Sequence, residues 1–285
     1  MTVYYLITAA AVIMFSLQFW FNDRFQTHCG SSAKAAMLFS LGTNIAGFAA
    51  LLIINKFRFE FTPFSLGMAF LVGLDGILFL YCSLKAFAVI NLSLYSVFSM
   101  LGGMTLPFIL GIAVYGEALT AGKLLCFVFT AAALALTVKK GAGGRRAYLY
   151  YAGIFVLNGM SGVLAKLFQE APYPKTGAAG FSVLSAAAGA VLAAVLLPFM
   201  KGKLPKLTLR PALDMAAYGT VNRAANFLLL LALAHLPASA QYPFVTGGVM
   251  IVSTLICFLT PQKPTKKELA AVGLSFVGIL FLVLL

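Results

Sequence analysis

The sequence predicts an all-α integral membrane protein of ten transmembrane helices, built as a 5+5 inverted-topology repeat. Three observations predict this fold: the composition, a series of ten apolar segments, and a similarity between the two halves of the chain. Apolar residues make up 62% of the 285 residues and charged residues only 9%, with a mean hydropathy of +0.99. Soluble domains average about 45–50% apolar and about 25% charged residues. Because so few charges could not cover a water-facing surface, the chain is expected to lie in a membrane.

Ten apolar segments each approach the roughly 20 residues that a helix needs to cross the hydrocarbon core. They are continuously apolar rather than alternating, which favours helices over a β-barrel. The predicted spans are residues 2–21, 33–54, 64–84, 91–114, 121–138, 148–168, 177–199, 212–233, 239–259 and 267–285. The first segment lacks a charged n-region and a small-residue cleavage site, so it is interpreted as a span and not as a signal peptide.

The two halves of the chain share a weak pattern. Residues Gly102–Thr120 align with Gly247–Thr265 at a shift of 145, each with a Gly-Gly pair, an apolar run and a polar turn that ends in Thr. A similar shift places Phe25-Gln26 on Phe168-Gln169. Since five is an odd number, the second half must enter the membrane from the opposite side, a plan common among secondary transporters. The predicted domains are residues 1–140 and 147–285.

Ten spans in a 5+5 duplication, with the sequence GEALT at residues 116–120 before the fifth span, resemble the drug/metabolite transporter superfamily, specifically its EamA-like members. The resemblance covers essentially the whole chain, and in that family each half commonly ends in such a turn and a final helix. The second half departs from it, with Gln262 in place of the usual Glu. The turn is therefore interpreted as structural: Thr120 is expected to cap the fifth helix, and Glu117 to lie near that helix's positive end.

Two ionisable residues are predicted at mid-membrane depth, where charges are costly and are usually functional. Asp75 lies near the middle of the third span and Arg223 near the middle of the eighth. These spans are equivalent in the two halves. Either the two residues form an ion pair that holds the halves together, or one or both bind substrate, and both interpretations hold if the pair opens during transport.

Polar residues also recur along the eighth span at helical spacing, which favours the lining of a cavity. Isolated Asn and Ser residues in other spans are interpreted first as hydrogen bonds between helices, worth about 0.6 kcal/mol on average. Tyr95 and Tyr242 lie near the starts of spans four and nine, where they either anchor at the interface or contact the cavity. The predicted substrate-binding residues are Asp75, Arg223, Asn222, Asn226, Gln18, Asn158, Tyr95 and Tyr242.

Several classes of protein are not favoured. The chain has no GxxxxGK[ST] phosphate loop, no credible catalytic constellation and no metal-binding cysteine spacing, so neither an enzyme, a cofactor nor a metal site is predicted. The net charge of +13 lies in short loops, which favours anionic lipid headgroups over nucleic acid. The expected partners are a small-molecule substrate and membrane lipids, with no nucleic acid, and the chain is expected to be a monomer or a weak homodimer.

The function predicted from these features is a secondary active transporter that works by alternating access in the cell (plasma or inner) membrane. A small polar or zwitterionic metabolite fits best, because Arg223 suits a carboxylate and Asp75 an ammonium group. The resemblance also weighs against proton-driven antiport of bulky cations, because the first span lacks the Glu of the small multidrug relatives. The alternative is a flippase for a lipid-linked substrate or a channel-like membrane protein.

The orientation of the chain presents a conflict. The resemblance implies cytoplasmic termini, but about fourteen of the twenty Lys and Arg residues lie in the loops on the other side, against about five on the side of the termini. The positive-inside rule therefore favours termini outside the cell. We follow the charge argument, because it reflects the energetics of insertion.

Overall fold

The structure is a computed structural model that describes residues 2–30, 32–87, 92–137, 145–258 and 264–285. Side chains are described except at residues 19, 23, 84–87, 92–97, 145–148 and 257. Within these ranges the chain is helical, without a strand. The helices are α1 Thr2–Cys29, α2 Ala33–Ile54, α3 Pro63–Phe87, α4 Leu92–Ala113, α5 Ala121–Leu136, α6 Arg145–Glu170, α7 Ala178–Leu196, a 3-10 turn Leu197–Phe199, α8 Leu209–Leu233, α9 Ala238–Phe258 and α10 Lys266–Leu284.

Over the described residues, each predicted span overlaps one of these helices; the predicted ends at residues 91, 138 and 259 lie outside those residues. The largest difference is at the end of α1, which was predicted to end at residue 21 but continues to Cys29. The extra turns are polar, and within them Arg24 forms an ion pair with Asp214 of α8. Among the described residues, seven helices are long and apolar enough to cross a membrane, which supports the all-α membrane class. The polar residues of α8 keep it outside that set.

Eight of the helices pack in a closed ring. In order around the ring they are α1, α8, α2, α7, α3, α6, α4 and α9, and α9 packs in turn against α1. The ring consists of two half-rings of four helices: α9, α1, α8 and α2 form one, and α4, α6, α3 and α7 form the other. They meet at two seams, α2 against α7 and α4 against α9. Helices α5 and α10 pack against each other and on α9.

Glycines allow the tightest contacts between neighbours in the ring. A Cβ atom on Gly102 of α4 would overlap the backbone of Phe155 in α6, and one on Gly219 of α8 would overlap the backbone of Thr43 in α2. Backbone atoms cannot move aside as a flexible side chain can. Small residues at helix contacts are how helices approach closely within a membrane.

We expect Gly102→Ala to destabilise the protein by about 1–3 kcal/mol, as overpacking of a tight contact does. The matched control is Gly67→Ala in α3, because a Cβ there meets nothing within 4 Å. Both changes give the same gain in helix propensity, so the difference in stability between the two variants reports the contact of Gly102 with α6. The measurement is the thermal melting of the purified protein in detergent, and equal melting temperatures for the two variants would contradict the close approach of α4 and α6.

Candidate functional site

Three of the predicted site residues meet where α1 packs on α8. The side-chain amide of Asn222 donates a hydrogen bond to Oε1 of Gln18, which lies 204 residues earlier in the chain. The Asn226 side-chain amide donates to the backbone oxygen of Asn222 at 2.8 Å. Asn226 is exposed, and Gln18 and Asn222 are partly exposed. These groups therefore form one polar cluster along α1 and α8 that keeps free hydrogen-bonding capacity.

Arg223 reaches from α8 to α2. Its Nη2 donates to Oδ1 of Asn44, and the Asn44 amide in turn donates to the backbone oxygen of Ser40 at 2.7 Å. Gly47 leaves space for this arrangement, because a Cβ there would overlap the Arg223 side chain. Arg223 thus has a neutral hydrogen-bond partner, and its charge is not balanced by the group that holds it.

Asp75 is the central residue of α3 and is buried, with 7% of its surface exposed. On the same helix, Phe64 stacks on Phe168 of α6, and Phe79 packs on Ile154 of α6. These contacts bracket Asp75, which places it opposite the middle of α6. Within the described ranges, Asp75 makes no hydrogen bond or ion pair.

Of the two interpretations of Asp75 and Arg223, the structure does not show the ion pair. The described ion pairs do not include it, and Arg223 binds Asn44 instead. That interpretation placed both residues near one pseudo-two-fold axis, because α3 and α8 are equivalent in the two halves. In the ring, α3 lies between α7 and α6, and α8 lies between α1 and α2, so the two residues belong to different half-rings.

Because the two charges are not in contact, Asp75→Asn and Arg223→Gln should affect stability independently. We expect the double variant to equal the sum of the single variants to within about 0.5 kcal/mol. A double-mutant cycle on unfolding in detergent measures this directly. A coupling of several kcal/mol, with the double variant more stable than either single one, would show that the two residues pair after all.

Two of the three remaining predicted residues form contacts between helices. The amide of Asn158 in α6 donates to the backbone oxygen of Ser99 in α4 at 2.6 Å. The hydroxyl of Tyr242 in α9 is buried and donates to the backbone oxygen of Gly162 at 3.2 Å. The side chain of Tyr95 lies outside the described part of the chain. Asn158 therefore joins two neighbouring helices of one half-ring, and Tyr242 joins α9 to α6 of the other half-ring.

An ionic cluster that the sequence analysis did not identify lies at the α4–α9 seam. Nζ of Lys166 in α6 contacts Oε1 of Glu117 at 2.9 Å and Oε1 of Glu170 at 2.7 Å. Oε1 of Glu117 accepts from the backbone N–H of Ala238 at 2.8 Å, and its Oε2 accepts from the backbone N–H of Ser239 at 2.8 Å and from the Ser239 hydroxyl at 2.5 Å. We call these five residues the Glu117 latch.

The expected role of Glu117 was therefore wrong, and that of Thr120 was right. Thr120 caps α5 by accepting from the backbone N–H of Lys123 at 3.3 Å. Glu117 binds the start of α9 and not that of α5. The turn allows this because Gly116 has a φ of +63°, which other residues rarely adopt, and because Gly111 lacks a side chain that would collide with the carboxylate.

Within the Glu117 latch, the side chains of Lys166 and Glu117 are buried and their opposite charges are paired. The side chains of Lys166 and Glu117 are only 5% and 8% exposed, whereas that of Glu170 is 41% exposed. Burial raises the pKa of the Glu117 carboxyl, but hydrogen bonds from Ser239, Lys166 and Ala238 outweigh it and hold that pKa below its ordinary value. Glu117 is thus ionised at neutral pH. A cavity of about 280 Å³ opens beside it, lined by Tyr115, Glu117, Lys166, Glu170, Leu233, Ala234, His235, Leu236 and Pro237.

A third described ion pair lies at the opposite end of the molecule. Nε of Arg24 in α1 contacts Oδ1 of Asp214 in α8 at 3.2 Å, and the Arg24 guanidinium also lies over the Trp20 ring. Asp214 is buried, and its Oδ2 has no hydrogen-bond partner. Because α1 and α8 belong to the same half-ring, this pair does not cross a seam.

Comparison with known proteins gives one informative result. No protein-family model matches the chain, and no curated protein matches it. Among solved structures, a chain described as "Crystal structure of protein" superposes with a TM-score of 0.81 at 16% sequence identity, covering 99% of this chain and 97% of that one. At this identity the likeness concerns the fold alone: the arrangement of helices along the whole chain also occurs in another protein.

Proposed function

We propose that this protein is a secondary active transporter of the drug/metabolite superfamily, EamA-like, which moves a small polar or zwitterionic metabolite across the cell membrane by alternating access. The apolar helices form a membrane bundle that is compatible with a transporter. The superfamily, the mechanism and the substrate class are proposed from the pattern of the two halves and from the placement of two charges.

The helix bounds support an inverted repeat. Adding 145 to the bounds of α2, α3, α4 and α5 gives 178–199, 208–232, 237–258 and 266–281, which fall on α7 with its 3-10 turn, α8, α9 and α10 to within three residues. The same shift carries Thr120, the N-cap of α5, onto Thr265, the N-cap of α10. Equivalent helices therefore begin and end at equivalent positions.

The packing of the ring supports the repeat independently. The contacts of α1 with α8, α1 with α9 and α2 with α8 have counterparts five helices later, in α6 with α3, α6 with α4 and α7 with α3. Aromatic contacts follow the same rule: Phe25 of α1 packs on Phe39 of α2 with ring centroids 4.5 Å apart, and Phe168 of α6 stacks on Phe181 of α7 at 3.7 Å. Two equivalent half-rings that meet at two seams are suited to move against each other as rigid bodies, which is the motion of alternating access.

The observation that carries the transport proposal is a pair of opposite charges, each near the middle of its helix, that do not contact each other. Asp75 belongs to one half-ring and Arg223 to the other. A charge in the middle of a membrane needs a partner, water or a substrate. A zwitterion would satisfy both charges at once, its carboxylate on Arg223 and its ammonium on Asp75, and the Gln18–Asn222–Asn226 cluster would provide further hydrogen bonds beside Arg223.

Transport by purified protein in liposomes tests this proposal. A thermal-shift screen against amino acids and nucleobase-like compounds first selects a substrate, and its flux is then compared in wild type, Arg223→Ala and Asp75→Asn. We expect each variant to lose at least about tenfold in flux, the loss of one charge-assisted contact. Gly67→Ala, in an open position of α3, is the matched control. Unchanged flux in both charge variants would remove these residues from the site, and scrambling of lipid without metabolite flux would favour a flippase.

A further inference from the structure

We propose that the Glu117 latch is the gate that holds the α4–α9 seam closed at the end of the molecule where the termini lie, and that it opens in each transport cycle. This inference rests on the proposed function, because it assigns the moving seam of that transporter. The end is identified by its neighbours: Tyr4 of α1 stacks on His235, which lines the latch cavity, and Gly122 of α5 lies against Leu285.

The contacts of Glu117 divide cleanly between the two half-rings. Glu117 follows α4, and its partner Lys166 lies on α6, so both belong to one half-ring. Ala238 and Ser239 begin α9, which belongs to the other. The three hydrogen bonds from Ala238 and Ser239 therefore cross the seam, whereas the ion pair does not. Within the described ion pairs, none joins the two half-rings.

This division makes opening feasible. When the seam opens, Glu117 loses its bonds to α9 but keeps Lys166, and Lys166 keeps Glu170 one turn further along the same helix. The Glu117 carboxylate thus moves together with the Lys166 ammonium group. Opening therefore leaves no buried charge unpaired, and an unpaired buried charge is what makes the breaking of a buried ion pair costly. The two amides freed at the start of α9 directly follow Leu236 and Pro237, which line the cavity of about 280 Å³, so water from this cavity can hydrate them once the seam opens.

The helices of the α4–α9 seam differ from those of the α2–α7 seam in their proline content, and this difference favours movement at the α4–α9 seam. Both helices of the α4–α9 seam contain an internal proline, Pro107 in α4 and Pro243 in α9. Proline removes a backbone hydrogen bond and makes a kink, so these helices are able to bend. The helices of the other seam, α2 and α7, contain no proline. The α2–α7 seam is thus suited to act as the fixed contact, and the α4–α9 seam to move.

Distances between spin labels test the gate without any substrate. One pair, Leu119→Cys and Ala234→Cys, uses exposed positions on the two sides of the latch, and a second pair, Gln26→Cys and Leu149→Cys, uses exposed positions at the opposite end. In Glu117→Gln we expect the ratio of long to short distances in the first pair to rise about tenfold, the effect of losing charge-assisted hydrogen bonds. The second pair should shorten in the same samples, because the ends alternate.

Two further variants keep the test decisive. Ser239→Ala removes a single hydrogen bond, the one from the hydroxyl to Glu117, and this bond crosses the seam. It should shift the distance of the first pair in the same direction, so it tests the gate even if Glu117→Gln fails to fold. Glu268→Gln is the matched control, because Glu268 also binds a helix start, accepting from Thr265 at 2.6 Å, but does so within α10 alone. Distances unchanged in Ser239→Ala, or shifted equally in Glu268→Gln, would overturn the gate. If the labels shift while the flux of the Asp75 and Arg223 variants stays normal, only the proposed substrate site is rejected.

Discussion

Replacement of Lys166 by Met is expected to destabilise the protein by about 3–5 kcal/mol, the usual cost of deleting one partner of a buried ion pair. Met has a similar length and is apolar, so the change removes the charge and little volume. Glu117 then remains 8% exposed without its cation, whereas Glu170, with 41% of its side chain exposed, is hydrated. The free energy of unfolding in mixed detergent micelles measures the effect.

The control for this prediction is Lys203→Met, at an exposed lysine of the loop between α7 and α8. This substitution deletes the same charge, but at a position that faces water, and should change the free energy of unfolding by no more than about 0.5 kcal/mol. Adding Glu117→Gln to Lys166→Met should recover part of the loss, because the buried carboxylate is then neutral. A loss for Lys166→Met no larger than that for Lys203→Met would mean that the Glu117–Lys166 contact contributes nothing to the fold.

Labelling with a membrane-impermeant thiol reagent should give an all-or-none result for the orientation of the chain. In a variant without its four native cysteines, we expect Arg58→Cys, in the loop between α2 and α3, to be labelled in intact cells. Lys203→Cys, in the loop between α7 and α8, should be labelled only after permeabilisation. The physical reason is the excess of Lys and Arg in the loops on the side of position 203, since such loops remain in the cytoplasm.

Labelling of both positions in permeabilised cells is the control for reactivity. The opposite pattern, with position 203 labelled in intact cells, would place the termini in the cytoplasm, as the family resemblance implies. With the expected pattern, the Glu117 latch faces the outside of the cell, and the ion pair of Arg24 and Asp214 faces the cytoplasm.

The helices were predictable from the sequence because their signal is local. Each is an apolar run with charged, Pro or Gly residues at its ends, and Thr120 caps the helix that directly follows it. The polar face of α8 was equally visible from its spacing. Its partner on α1 was not, because Gln18 lies 204 residues from Asn222 and spacing carries no information at that range.

The ionic cluster was missed for the same reason. A carboxylate near a helix start is ordinarily assigned to the nearest helix, but Glu117 turns away from α5 and binds α9. One signal was available: the chain has only 7 acidic residues against 20 basic ones, so a lysine within an apolar span had few candidate partners. The spacing of Lys166 and Glu170, four residues apart on one helix, indicated one of them.

The interleaved order of the ring constrains how the chain is made. Helices α1 and α2 leave the ribosome first, yet they pack against α8 and α9, which are among the last to be synthesised. Glu117 cannot accept its hydrogen bond from Ala238 until that residue, 121 positions later in the chain, has been synthesised. The first five helices must therefore enter the bilayer as separate segments with unsatisfied surfaces, and the protein assembles only after translation reaches α9. A gene split between α5 and α6 should accordingly yield active protein only when both fragments are made in the same cell.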